Sequence, residues 1–400
     1  MSESEQTYPA APLVPDLSGA VPTSTEARAK RRIAALEDEL QQMKQEKGKK
    51  KRKTTYYIAQ GRAIRRTTVL YTTLEDLIAE NDRRYEEVLE DGTVQATTEQ
   101  DRFQRGYLAL TTTLPWLHPK LASLDVEDCE DMLRKLKKGA DAARGDDTST
   151  LKDLIAAWVN EDFRPSPLLR SDSKQLRGFT HDVCGKLLCP AEWDWSNDRV
   201  RAGIRDRTSD HIVSENSWPL FVYENYRFSS GDLEKGLFKS KILVQAFKAI
   251  FTSPSSAREV EGDGDGADVL ENNRRARRAL SHSKVKTCVA SIINMRKVTP
   301  RSIAYVVCQV RFALSSVSSW RTVDGDFDYE AFWNNTVDFF EDVPGPVARS
   351  RVDKLLEWWT RKVFGKNHRE DLTPEVVSKM SVSALAEQRK VLEDTAFDSE

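Results

Sequence analysis

Four carboxylates fall within the stretch VDGDFDYEAFW: Asp324, Asp326, Asp328 and Glu330. Acids alternating on a turn suit a divalent cation, and the three aspartates stand at the first, third and fifth positions of a calcium loop. The rest of the loop departs from that pattern. Its sixth position, which requires a turn glycine, is Tyr329, and its twelfth, which requires a bidentate Glu, is Asn335. A second triplet, Asp263, Asp265 and Asp268, departs equally, with Ala267 at the fifth position and Arg274 at the twelfth. A two-metal nuclease would use such clustered acids, yet no distant partner acid is identifiable. The reading preferred here is structural. Asp324-Gly325 turns the chain, Asp326 or Asp328 caps a helix, and Phe327, Phe332, Trp333, Phe339 and Phe340 anchor it. No metal is expected.

His181, Cys184, Cys189 and His211 are the other ligand-like set. Structural zinc sites pair their ligands at both ends; here the second pair is missing and Leu187 and Leu188 crowd the first, so buried thiols are expected. The chain contains no G-x-S-x-G, no G-x-x-x-x-G-K-[ST] and no G-x-G-x-x-G, which removes the nucleophile elbow and the usual phosphate loops. No catalytic residue and no cofactor is assigned.

Two runs of cations carry the remaining chemistry. Gly48 is followed by Lys49, Lys50, Lys51, Arg52 and Lys53, a segment of the kind bound by an import receptor, or a phosphate-binding arm. Further on, Arg274, Arg275, Arg277, Arg278, Lys284 and Lys286 occur without an acid among them, directly after a stretch, 255–271, that holds six acids and three glycines. Such a face can contact phosphates, giving weak nucleic-acid binding, or it can be a solvated face that neutralises the acidic loop before it. Nuclear residence is the expectation, with the cytoplasm as the alternative.

These groups need elements to position them. Residues 1–25, with Pro9, Pro12, Pro15 and Pro22 among Ser, Thr and Ala, bury too little apolar surface to offset the entropy of ordering and read as disordered. Within residues 26–53, Ile33, Leu36, Leu40 and Met43 follow a coiled-coil rhythm over about two heptads. A homodimer through 26–47 or a solvated charged helix would both account for it. Residues 54–145 read as a helical region, including a helix from Asp125 to Lys138. The string ARGDDTSTLKD (143–153) reads as a turn-rich break, with Thr148 or Ser149 capping a following helix that contains Leu154, Ile155 and Trp158. Residues 181–226 are aromatic and irregular apart from VRAGIRD. Leu237, Phe238, Ile242, Leu243, Phe247, Ile250 and Phe251 give a core helix stopped at Thr252 to Pro254, and 255–271 reads as a solvated acidic loop. Thr299 and Pro300 open a helix with Ile303, Val306, Val307, Val310, Leu314 and Val317 on one stripe. Residues 367–400 read as a polar helix or tail.

The whole is a predominantly α, irregular multi-helix globular chain with a disordered N-terminal segment and a short coiled-coil-like helix. Its 400 residues, 39% hydrophobic and 31% charged, can bury a core. The net charge of −2 conceals an asymmetry: residues 1–66 hold 14 Lys and Arg against 8 Asp and Glu, leaving 47 against 55 for the rest. The head is thus basic and the body acidic. No window is apolar enough to cross a bilayer, and MSESEQTYPAAPLVPDL lacks the features of a signal peptide, so no membrane association is expected. The five cysteines, odd in number and set in apolar text, read as reduced thiols.

GKLLCPAEWDW with VRAGIRD, GLFKSKILVQAFKAIFTSPSSA, KVTPRSIAYVVCQVRFALSSVSSW, VDGDFDYEAFWNNTVDFFE and LLEWWTRKVFG, in that order, resemble an uncharacterised family of basidiomycete fungal proteins, a domain of unknown function, over residues 150–366. The resemblance implies a fold and no mechanism. It also suggests an origin in mobile elements or in lineage-expanded genes, and it includes Cys189 but not Cys184.

Overall fold

The computed structural model describes residues 32, 33, 36, 37, 39–41, 43, 54–90, 96–278, 288–365 and 372–397. The chain divides into two compact units, Met1–Tyr56 and Tyr57–Glu400. In the first, the described residues between 32 and 43 are helical and exposed. The expected disorder of residues 1–25 lies outside the described residues.

The second unit is predominantly α, with one two-stranded hairpin among the described residues. Its centre is α11 (Pro300–Leu314), in which every residue from Arg301 to Leu314 is buried. The sequence dictates its start. Thr299 and Ser302 form a capping box and Pro300 fills the first turn, where its missing N–H has no partner to lose. Packed around it are α1 (Ile64–Thr67), α5 (Val126–Phe163), α6 (Asp182–Leu188), α8 (Lys241–Phe251) and α12 (Tyr329–Glu341). The helix is shorter than its apolar stripe, since Ser315 ends it before Val317.

The long helix α5 corrects the reading of 143–153 as a break. It runs unbroken through ARGDDTSTLKD and past Lys138, so Thr148 and Ser149 cap nothing. Ala140, Ala143, Asp147 and Leu151 continue one buried stripe across the polar text, at the three- and four-residue spacing of a helix face. The Thr148 hydroxyl donates to Arg144 O at 2.8 Å, a bond within the helix. The first half of α5 joins a smaller core with Tyr57, Leu77, Tyr107 and Leu110, and its second half joins the main core. Where α5 crosses residues 57–61, a Cβ on Gly139 would stand 2.0 Å from Ile58 O and one on Gly61 2.0 Å from Leu136 O. Backbone therefore packs on backbone at that crossing.

Residues 181–226 are irregular, as the sequence suggests, with α6 and α7 (Asp198–Asp206) as short helices between 3-10 turns. Leu237 and Phe238 are buried but precede α8, which Ser240 caps. The stretch 255–271 is only half loop, because α9 (Gly266–Arg278) takes up residues 266–271. Strands β1 (Val323–Asp324) and β2 (Phe327–Asp328) pair antiparallel, Asp324 opposite Phe327, around Gly325 at φ +67°. After α13 (Pro346–Phe364), two helices, α14 (Pro374–Ser378) and α15 (Ser381–Phe397), occupy the segment expected to be a polar helix or tail.

Candidate functional sites

The basic stretch begins in α9. Its inner side carries Ala267 and Leu270, packed against the core, and Asn273, whose amide donates to Cys288 Sγ at 3.4 Å. Arg274 and Arg275 point outward. Both reach one carboxylate: Arg274 donates to Glu271 through Nε at 2.7 Å and Nη2 at 2.8 Å, and Arg275 through Nε at 2.9 Å. The two guanidiniums, Arg274 first, bring the Glu271 carboxyl down to about 2. Arg277 and Arg278 close α9, while Lys284, Lys286 and the run Lys49 to Lys53 lie outside the described residues.

The acidic loop does not extend over this face. Asp263 pairs with Arg361 of α13 at 3.1 Å, and Gly264 N donates to Arg361 O at 3.0 Å. A Cβ on Gly264 would lie 2.4 Å from both Lys362 O and Val363 O. The loop is thus seated on the last turn of α13 while Glu259, Glu261, Asp263 and Asp265 stay exposed to solvent. Glu271, within the same helix, is the acid that both Arg274 and Arg275 reach.

At the acidic turn each aspartate has a structural partner. Asp328 caps α12, accepting from Glu330 N at 2.7 Å and Ala331 N at 3.1 Å. Asp326 accepts from Arg207 at 2.7 Å, and Asp324 stands 3.8 Å from the buried guanidinium of Arg311. Arg311 in turn lies 3.2 Å over the Phe327 ring and donates to Tyr329 Oη at 2.9 Å. Burial raises the Glu330 carboxyl, with Asp328 adding to the effect. Guanidiniums hold the places next to the Asp324 and Asp326 oxygens, in a cleft of about 150 Å³ that also includes His211 and Ser315, and helix N–H groups those next to Asp328.

His181, Cys184, Cys189 and His211 do not converge. His181 caps α6, its Nδ1 accepting from Cys184 N at 3.4 Å and its Nε2 donating to Pro167 O at 3.0 Å. Burial pushes the Cys184 and Cys189 thiols up to about 12, and His211 packs edge-on against Trp193. Among the described residues no three His, Cys, Asp or Glu are grouped to hold a metal ion.

One cluster was not assembled by sequence reasoning. A groove of about 710 Å³ lies between α13, the start of α8 and residues 258–261. Half-buried Trp358 forms its wall, with the Lys239 ammonium 5.3 Å and the Lys362 ammonium 5.9 Å from the ring centroid. Trp358 and Lys362, one helical turn apart, were the readable part. Lys239, Lys241 and Arg258 come from other segments, and nothing in their spacing links them.

These features define a predominantly helical protein with a buried central helix, a small hairpin and clustered surface cations. Residues 138–364 match the model of a family of unknown function, DUF6698. The chain belongs to that family, whose matched segment opens inside α5. No curated protein and no solved structure matches it.

Proposed function

We propose that the chain is a non-catalytic nuclear interaction protein that associates with nucleic acid, its Lys49–Lys53 run meeting an import receptor and α9 meeting phosphates. The observation that carries this reading is the pair Arg274 and Arg275, exposed on one helix face and sharing a single carboxylate. Exposed ion pairs of this kind exchange readily for phosphate. The source in a basidiomycete fungus and the mobile-element or lineage-expanded origin belong to the same proposal and rest on the sequence resemblance. Two measurements test it. Replacing residues 49–53 by Ala or Ser should move a tagged chain to the cytoplasm while leaving the fold intact; unchanged nuclear accumulation would refute the import role. Duplex DNA or RNA should bind more weakly as salt rises, and the Arg274→Ala/Arg275→Ala variant should lose about 1.4–1.8 from the salt slope.

A second reading, a scaffold dimerising through 26–47, has its own support. Ile33, Leu36, Leu40 and Met43 are exposed by 55%, 56%, 48% and 49%, an apolar seam open to a second copy. Sedimentation of the chain and of Leu36→Glu/Leu40→Glu should separate dimer from monomer; two identical monomer profiles would dismiss it.

A further inference from the structure

The groove beside Trp358 has the chemistry of a ligand site that lies apart from α9. Trp359 is fully buried and donates through Nε1 to Phe238 O at 3.0 Å. Its neighbour Trp358, at 89° to it, is thereby turned toward the groove. Lys239 and Lys362 converge on that one indole, and neither forms an ion pair with a described residue; Lys362 donates to Val260 O at 3.3 Å. Both ammonium groups stand near the outer limit of cation–π reach. The buried Lys248 donates to Glu259 O at 2.6 Å, which fixes the segment that follows Arg258. Of the other lining charges, Lys241 is paired with Asp162 at 2.6 Å. Glu224, Glu259 and Glu261 also line the groove, without ion pairs to its cations among the described residues.

Two like charges held over one ring are stabilised by an anion between them, and the ring offers a flat apolar face beside it. We propose that the groove binds one nucleotide unit of a single-stranded nucleic acid, its base against Trp358 and its phosphate between Lys239 and Lys362. Stacking on an aromatic wall requires an unpaired base, which a duplex does not present. The three lining carboxylates also repel further phosphates, whereas one flexible strand can enter with a single phosphate seated. A single strand is therefore favoured over a duplex here.

The test uses the full chain and fluorescein-labelled oligo-dT of about twelve nucleotides, with the matching duplex beside it, by anisotropy at two salt concentrations. The groove should make the single strand the tighter ligand. Trp358→Ala should weaken the single strand by about 5- to 150-fold, the loss of one stacked base, and leave the duplex unchanged. Trp358→Phe should restore most of the loss. Lys239→Ala/Lys362→Ala should lower the single-strand salt slope by about 0.7, the share of the one seated phosphate. Should Trp358→Ala fail to fold, the lysine variant and competition by thymidine monophosphate decide. Equal binding of both forms with no effect of either groove variant would overturn the proposal. So would a monophosphate that binds as tightly as the strand, which would mark a free nucleotide as the ligand. Loss of binding in Arg274→Ala/Arg275→Ala with silent groove variants would overturn the groove and keep the α9 reading. The reverse pattern would remove only the α9 reading.

Discussion

Arg66 and Asp147, 81 residues apart, meet in a buried two-pronged ion pair with both bonds at 2.7 Å. Asp147 also accepts from Tyr305 Oη at 2.8 Å, Gln309 donates to that phenol at 3.0 Å, and Thr148 Oγ1 lies 3.1 Å from Gln309 Oε1. This network ties the helices ahead of residue 138 to the central helix of the family segment. Removing one member strands an uncompensated buried charge, so Asp147→Ala should cost about 3–5 kcal/mol in denaturant unfolding, whereas Arg66→Met/Asp147→Leu should recover most of the loss. A fragment of residues 138–364 should likewise lack a cooperative transition. A fragment as stable as the whole chain would show the pair to be dispensable.

The same network explains which elements could be read from the sequence. Thr299, Pro300 and the stripe from Ile303 to Leu314 are local signals, and α11 forms where they place it. Asp324-Gly325 and the Asp328 cap were legible for the same reason. Asp147 and Thr148 look like turn residues because their partners, Arg66, Tyr305 and Gln309, are supplied by distant segments; α5 is helical there on tertiary grounds. The acidic stretch misled similarly, since Asp263 answers to Arg361, almost a hundred residues later. The Trp358 groove, assembled from separated segments, left only its Trp358 and Lys362 pair on one helix.

Lys174 gives the fold a pH dependence. Its buried amino group donates to Phe312 O and Val317 O at the end of α11, where a cation also suits the helix dipole. Burial, aided by the Arg177 charge, lowers this ammonium to about 7 from an ordinary 10.5. Below about 7 both folded and unfolded chains hold the proton and the desolvation cost is fully present. Between there and 10.5 the unfolded chain binds the proton that the folded chain has released, so stability rises with pH. The stability of the wild type relative to Lys174→Met should therefore increase from pH 6 to pH 9. A difference that is flat across this range would show that the lysine stays charged in the fold.

The acidic turn should behave as structure. Removing the cap in Asp328→Ala should cost about 1 kcal/mol, and Asp326→Asn, which breaks an exposed pair with Arg207, about 0–1 kcal/mol. Millimolar calcium, magnesium or manganese should change the melting temperature little. An ion that raised it by several degrees, with the gain abolished in Asp326→Asn, would identify a metal site at this turn.

Glu271 sets the charge of α9. Because Asp263 and the loop around it are held by α13, replacing the loop acids and replacing Glu271 should have different consequences. Glu271→Ser removes the carboxylate that both Arg274 and Arg275 reach, an exposed and weakly held pairing. Nucleic-acid binding at low salt should then strengthen by about two- to five-fold, with a gain that fades as salt rises. Asp263→Ser releases the loop from Arg361 and should lower stability slightly without altering affinity. Adding Arg274→Ala/Arg275→Ala to Glu271→Ser should cancel the gain. The comparison requires folded variants, checked by circular dichroism, and a salt series that gives the phosphate-contact slope. If Glu271→Ser binds no tighter than the parent at about 50 mM salt, the lowest salt of that series, the two arginines serve only to solvate their helix, and the phosphate contacts must be sought elsewhere on the chain.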